Sequence, residues 1–157
     1  MRILFNVANF RKDVDLSMEP GSWIDRDFYP ALERLGHDLV RFDWEMPDHL
    51  HFKQWMTAEV ARKNRALVKF AVEKNREKRI DIMLSALDGR VLLKEAVEGV
   101  KALGITSVSY HCDDVNAFHL NEKMALVHDI NWTVQPAAVS IQLPPCTTRL
   151  LLEAAPW

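Results

Sequence analysis

Cysteine is scarce in this chain. Cys112 and Cys146 are the only two, and their spacing fits neither a disulfide framework nor a zinc site. A reducing cytoplasm is the expected compartment. No apolar run approaches the ~18 residues a bilayer span needs, so no membrane crossing is expected. The opening Met1-Arg2-Ile3-Leu4-Phe5-Asn6-Val7 is too short and too soon interrupted for a signal peptide. Basic charge is not in excess either. Lys and Arg number 20 against 22 Asp and Glu, a formal net charge of −2, which removes the electrostatic footprint of a nucleic-acid partner. Phosphate-cradling glycine motifs are missing too. The first apolar run continues Val7-Ala8-Asn9-Phe10-Arg11-Lys12 rather than G-x-G-x-x-G, and G-x-x-x-x-G-K-[ST] occurs nowhere. Dinucleotide-binding and P-loop enzymes are therefore disfavoured.

What is present is the balance of an ordinary globular domain. The 157 residues are 48% hydrophobic and 27% charged, enough for one sizeable core. Arg2–Val7 is apolar without a 3.6 period and reads as a buried central strand. A helix is expected from Ser22, a good N-cap, through Phe28 and Leu32 to Leu35, with Gly36 as its stop. Pro30 lies inside it and predicts a late start or a kink. Asp38–Asp43 alternates as a second strand. From about His51 to Arg79 runs a long helical pattern, its apolar side including Trp55, Val60, Leu67 and Ala71 and its basic side including Arg62, Arg65 and Lys69. That basic side reads as a solvated face.

Ile80–Ala86 is the third strand, followed by a helix through Val91, Val97 and Leu103 to Gly104. Ile105–Tyr110 is the fourth strand, Val115–Leu126 a short helix, and Ile130–Val134 a fifth strand. The tail adds a strand at Val139–Leu143 and a brief helix at Arg149–Ala154. The five tryptophans are scattered and read as core or subunit contacts. Strands alternating with helices define an α/β, three-layer Rossmann-like domain with a mostly parallel sheet. The expected order is 3-2-1-4-5, with right-handed crossovers.

Ligands of such sheets sit at the carboxyl ends of the strands, at the switch point. In that order the loops after strands one and four share a crevice. The first brings Asn9, then Gly21 and Ser22 at a helix start, whose free N–H groups favour an oxygen-rich ligand. The fourth brings His111-Cys112-Asp113-Asp114. Two adjacent acids are costly together unless water, a cation or a substrate hydroxyl answers them. Three uses stay open: a general base tuned by His111, a hard-cation site, or an N-cap for the following helix. Cys112 lies beside two acids that disfavour its thiolate, so it is not read as a nucleophile. A phosphoacceptor receiver domain would need its acid at the end of the first strand, where this chain has Val7-Ala8-Asn9.

Arg2-Ile3-Leu4-Phe5, Ala31-Leu32-Glu33-Arg34-Leu35-Gly36-His37 and Leu39-Val40-Arg41-Phe42-Asp43 resemble the start of a GT-B glycosyltransferase. Gly104–Asp114 and His128-Asp129-Ile130-Asn131-Trp132-Thr133 resemble more closely the CgeB-like (spore maturation protein type) glycosyltransferases, with Val115 standing where many relatives have proline. The resemblance covers residues 1 to about 134. It implies a two-domain transferase that needs no metal, whose amino-terminal half presents the sugar or glycan acceptor and a catalytic base. Residues 1–135 are then the acceptor-side Rossmann-like domain, and 136–157 an atypical tail without the donor-binding second domain. On this reading the chain is truncated and inactive alone. Asp113 or Asp114 contacts the acceptor hydroxyl, and Asn9, Gly21, Ser22 and His111 line the cleft, with no metal or cofactor assigned. The missing half would be a second glycosyltransferase domain. The rival expectation is a non-catalytic α/β module that forms a homo-oligomer or binds a partner chain through its long helix.

Overall fold

Each apolar run without helical period becomes a strand. The computed structural model describes residues 1–9, 28–45, 58–87, 89, 91–111 and 124–133. Its strands are β1 (Arg2–Asn9), β2 (Asp38–Glu45), β3 (Ile82–Ser85), β4 (Thr106–His111) and β5 (Ile130–Thr133). All four pairings are parallel, and the helices are α1 (Tyr29–Arg34), α2 (Ala58–Glu77) and α3 (Lys94–Lys101). The α/β Rossmann-like class is as expected. The strand order is not: it is β2-β1-β3-β4-β5, in place of 3-2-1-4-5.

The reason lies in the two strands whose places differ. β2 carries Asp38, Arg41, Asp43 and Glu45 among its apolar residues, the composition of an edge. β3 is Ile-Met-Leu-Ser, buried at all but its first residue, the composition of a strand covered on both sides. Moving β3 inward moves the switch point from between β1 and β4 to between β1 and β3.

The helices divide between the faces as right-handed crossovers require when the chain reverses direction after β2. α1 supplies Tyr29 and Leu32, with Phe28 just before it, to a layer on Ile3, Phe5, Leu84 and Val108. α2 and α3 cover the opposite face, where Leu67, Ala71, Val97 and Val100 pack on Leu4, Val40, Trp44 and Met83. Each such fully buried aliphatic side chain contributes roughly 1.5–3 kcal/mol before entropy is counted.

Pro30 lies in the first turn of α1 as described, where its missing N–H costs no helical hydrogen bond. Residues 22–27 of the expected helix lie outside the described residues. α1 ends where Gly36 was expected to stop it. Gly36 has φ +79°, its N–H donates to Glu33 O at 2.8 Å, and the His37 N–H donates to Leu32 O at 3.2 Å. These are the two bonds of a Schellman cap, and they need the left-handed residue that glycine supplies. α2 is described from Ala58 onward, and the expected strand and helix of the tail lie outside the described residues.

The amino end of the sheet is tied down by charge. Arg2 exchanges two bonds with Asp81, N–H to Oδ2 at 2.8 Å and O from the Asp81 N–H at 2.9 Å. Its guanidinium donates to the last carbonyls of α2, to Lys74 O at 2.9 Å and to Lys78 O, and lies 3.5 Å from Asp38 Oδ2. Lys78 Nζ donates to the same Asp38 oxygen at 2.6 Å. That hydrogen bond, with the charges of Lys78 and Arg2, holds the Asp38 carboxyl below its ordinary value. No described helix is long and apolar enough to cross a membrane.

Candidate functional site

Parallel pairing brings one residue from each of four neighbouring strands into a single row near the carboxyl ends. The register sets Asn6 of β1 beside Ser85 of β3, Ser85 beside Ser109 of β4, and Ser109 beside Asn131 of β5. All four are polar, and Asn6, Ser85 and Ser109 are fully buried. Polar groups so placed must find partners. Asn6 Oδ1 accepts the indole N–H of buried Trp44 from β2, and Asn6 Nδ2 donates to Ser85 Oγ at 3.3 Å. Ser109 Oγ donates to Asn131 Oδ1 at 2.5 Å, and Asn131 Nδ2 donates to Ala125 O at 2.7 Å. The row is a neutral hydrogen-bonded layer under the carboxyl edge.

Above it the edge is uneven. β3 stops at the row, at Ser85, while β1 continues to Asn9 and β4 to His111. The two flanking strands therefore run on past β3 on either side. One residue past β3, the Ala86 N–H still donates to Asn6 O at 3.2 Å. Further along, the chain is held by an asparagine from a different helix. Asn64 of α2 donates through Nδ2 to Val91 O and to Val60 O, each at 2.8 Å, and accepts the Leu93 N–H at Oδ1 at 2.9 Å. Leu93 is the N-cap position of α3 and has no side-chain cap of its own. Asn64 thus caps α3 from a neighbouring helix.

The opposite face of the same edge is aromatic. Tyr110 and Trp132 are register neighbours on β4 and β5, with ring centroids 5.0 Å apart at 72°. Phe28, at the entry to α1, lies 5.6 Å from Tyr110 and 5.8 Å from Trp132. All three rings are half-buried. Tyr110 and Trp132 meet edge to face, while Phe28 is stacked on Tyr110 and tilted against Trp132; aromatic pairs add roughly 0.5–1.5 kcal/mol each beyond burial.

Of the residues singled out from sequence, Asn9 is the last residue of β1 and His111 the last of β4, beside Thr133 of β5. Both are at the carboxyl edge, but β3 lies between their strands. With neighbouring strands about 4.8 Å apart, β1 and β4 are separated by ~10 Å. Asn9 borders the β1/β3 switch point, and His111 lies one strand beyond it. Gly21, Ser22, Asp113 and Asp114 lie outside the described residues. Sequence reasoning passed over Asn6, Ser85, Ser109, Asn131 and Asn64. The available signal was a polar residue inside the apolar patterns at Asn6, Ser85 and Asn64; β4, with Thr106, Ser107 and Ser109, gave none.

Among the described residues, perturbed charges do not gather at this edge. Asp129, just before β5, is at the amino end, where its Oδ2 accepts from Ser107 N at 2.9 Å and its Oδ1 lies 2.7 Å from Lys101 Nζ. Burial raises its carboxyl, but the hydrogen bonds from Lys101 and Ser107 and the Lys101 charge outweigh that and leave it below the ordinary 3.8. With Asp38 it belongs to the anchoring end of the sheet. Among the described residues no group of three or more His, Cys, Asp or Glu is arranged to hold a metal ion.

Fold and edge together define an open parallel α/β domain with its crevice at a β1/β3 switch. Compared with family models, curated proteins and solved structures, the chain gives no match.

Proposed function

We propose that the chain is the acceptor-side domain of a nucleotide-sugar-dependent glycosyltransferase. The observation that carries the reading is the carboxyl edge at the β1/β3 switch, underlain by the neutral row Asn6–Ser85–Ser109–Asn131. The row is hydrogen-bonded within the protein and does not itself touch a ligand, but it leaves the base of the edge uncharged, which suits a neutral polyhydroxyl ligand. The half-buried rings of Phe28, Tyr110 and Trp132 suit the apolar C–H faces of a sugar. In this reading His111, Asp113 and Asp114 follow β4 into the crevice, and one of the acids takes the proton of the acceptor hydroxyl. Asn9, Gly21 and Ser22 contact the acceptor from the β1 side. The donor nucleotide is held by a second domain.

The test is saccharide and nucleotide-sugar binding by the isolated chain, followed by NMR saturation transfer. The expected result is weak binding of a neutral saccharide without donor turnover, abolished in Asp113→Asn or Asp114→Asn while the far-UV spectrum is unchanged. Efficient turnover of a nucleotide sugar by this chain alone would overturn the half-enzyme reading. Loss of folding in the Asn variants would assign the acids to helix capping instead.

A further inference from the structure

Away from the sheet edge, α2 and α3 enclose a groove of about 410 Å³. Ala61, Val68, Leu93 and Ala96, with the amide of Asn64 already bonded to the chain before α3, form its mostly apolar floor, and Arg65 on α2 and Glu95 on α3 line it from either side. The helices run the same way, since each returns the chain between parallel strands. They close together at Gly99, where an added Cβ would stand 3.2 Å from Val68 Cγ2. Most charges on these helices are answered within the chain: Arg62 by Glu59, Lys69 by Glu73, Lys74 by Glu77 and Lys94 by Glu98. Arg65 and Glu95 are exposed, and among the described residues neither has an ion-pair partner.

The groove therefore has one basic lip and one acidic lip across a mostly apolar floor. A uniformly acidic partner would be repelled by the α3 side, and a uniformly basic one by the α2 side. The face that fits is one with the same two lips in reversed order. We propose that the occupant is a second copy of this chain, docked about a two-fold axis running along the groove. Rotation about that axis lays α2 of one protomer over α3 of the other, with both helix directions preserved. Arg65 then meets the partner's Glu95, and Glu95 meets the partner's Arg65, so each pair occurs twice. A two-fold axis across the groove would instead set α2 on α2 and oppose like charges. The floor is small-residued, which lets the helix pairs approach closely, and burial of Leu93 and Val68 supplies the apolar gain.

The overlap is limited by the short α3, about 12 Å long for eight residues. That places the contact at the low end of stable interfaces, about 1,000 Å², and makes the dimer concentration-dependent. The proposal is independent of the glycosyltransferase reading, because association is measured without any sugar.

The experiment is sedimentation velocity on the full chain from ~5 to ~500 µM, a range suited to a small interface. A monomer–dimer equilibrium is expected. Arg65→Glu and Glu95→Arg should each raise the dimer Kd at least ~10-fold, since each change converts two attractive contacts into repulsive ones. The double variant should return to within ~3-fold of the parent, because the swapped charges pair again. If either reversal fails to fold, Arg65→Gln and Glu95→Gln replace it, each expected to weaken the dimer ~3-fold. A monomer at every concentration, a dimer indifferent to these changes, or a double variant without recovery would overturn the proposal. Binding of a different protein to a chain that stays monomeric would do the same.

Discussion

Replacing Asn64 by leucine tests how the crevice loop is held. The side chain is 4% exposed and makes three hydrogen bonds, two of them to the chain leaving β3. Leucine keeps most of the volume and removes every polar atom. Val60 O retains its ordinary helical partner, so that bond is not the costly one. Val91 O and the Leu93 N–H both lose their partner. An orphaned buried polar group costs about 1–3 kcal/mol, and Leu93 is half-buried, so water from the groove answers part of its loss. The sum is about 2–4 kcal/mol, a large share of the ~5–15 kcal/mol by which a domain is stable. With a urea m-value of about 2 kcal/mol/M, the midpoint should fall by ~1–2 M, read by tryptophan fluorescence. Asn64→Asp sharpens the test. It keeps the acceptor for Leu93 but turns the donor into a second acceptor facing two carbonyls. Burial beside those oxygens raises that carboxyl above its unfolded value, so the folded state binds the extra proton and the variant gains stability as pH falls. A midpoint shift below ~0.3 M for Asn64→Leu, or an Asp variant insensitive to pH between about 7 and 5, would show that Asn64 does not hold the loop.

The remaining tests concern the frame. Asp129 sits below its ordinary 3.8, so its contribution is complete above that pH and is lost as pH falls through the folded value; Asp129→Asn should flatten the acid limb of the stability profile below about pH 4, measured by urea midpoints from pH 6 to 2. Gly36→Ala should cost about 1–2 kcal/mol by thermal melting. Its φ of +79° is the whole reason, since nothing lies within 4 Å of the added methyl group. Arg2→Met should cost about 1–3 kcal/mol, because it strips the carbonyls of Lys74 and Lys78, at the end of α2, of a charged donor, and the Lys78 amide, which donates to Lys74 O, should exchange faster with solvent.

Much of the frame could be read before the structure. Apolar runs without helical period, and the alternation of Asp38–Asp43, located the five strands found among the described residues, and Gly36 marked its helix end to the residue. The strand order could not be read from alternation, because every order of a parallel sheet leaves the same pattern along the chain. It was legible in the contrast between charged β2 and apolar β3, which separates an edge from an interior. The site was harder to read. Asn6, Ser85, Ser109 and Asn131 are unremarkable one at a time and form a layer only once the register brings them abreast. Asn64 sits at a buried position of the stripe Val60, Asn64, Leu67, Ala71, and a polar residue there signals a buried partner whose identity depends on the neighbouring helix.

The sheet order also sets a timetable for the chain as it is made. β1 is synthesised first and ends between two later strands, so it emerges with both edges open. β2 closes one edge after residue 45. The other waits for β3, while residues 46–81 are added, roughly 2–7 s at ~5–20 residues per second. Had β4 been its neighbour, residues 46–105 would have had to come first, roughly 3–12 s at the same rate. The apolar run Ile3-Leu4-Phe5 is the segment with most to lose from a long wait at an open edge. Seating β3 beside β1 shortens that exposure by about two-fifths. A series of stalled nascent chains in which β3 has or has not yet left the ribosome would therefore divide self-protected from aggregation-prone chains.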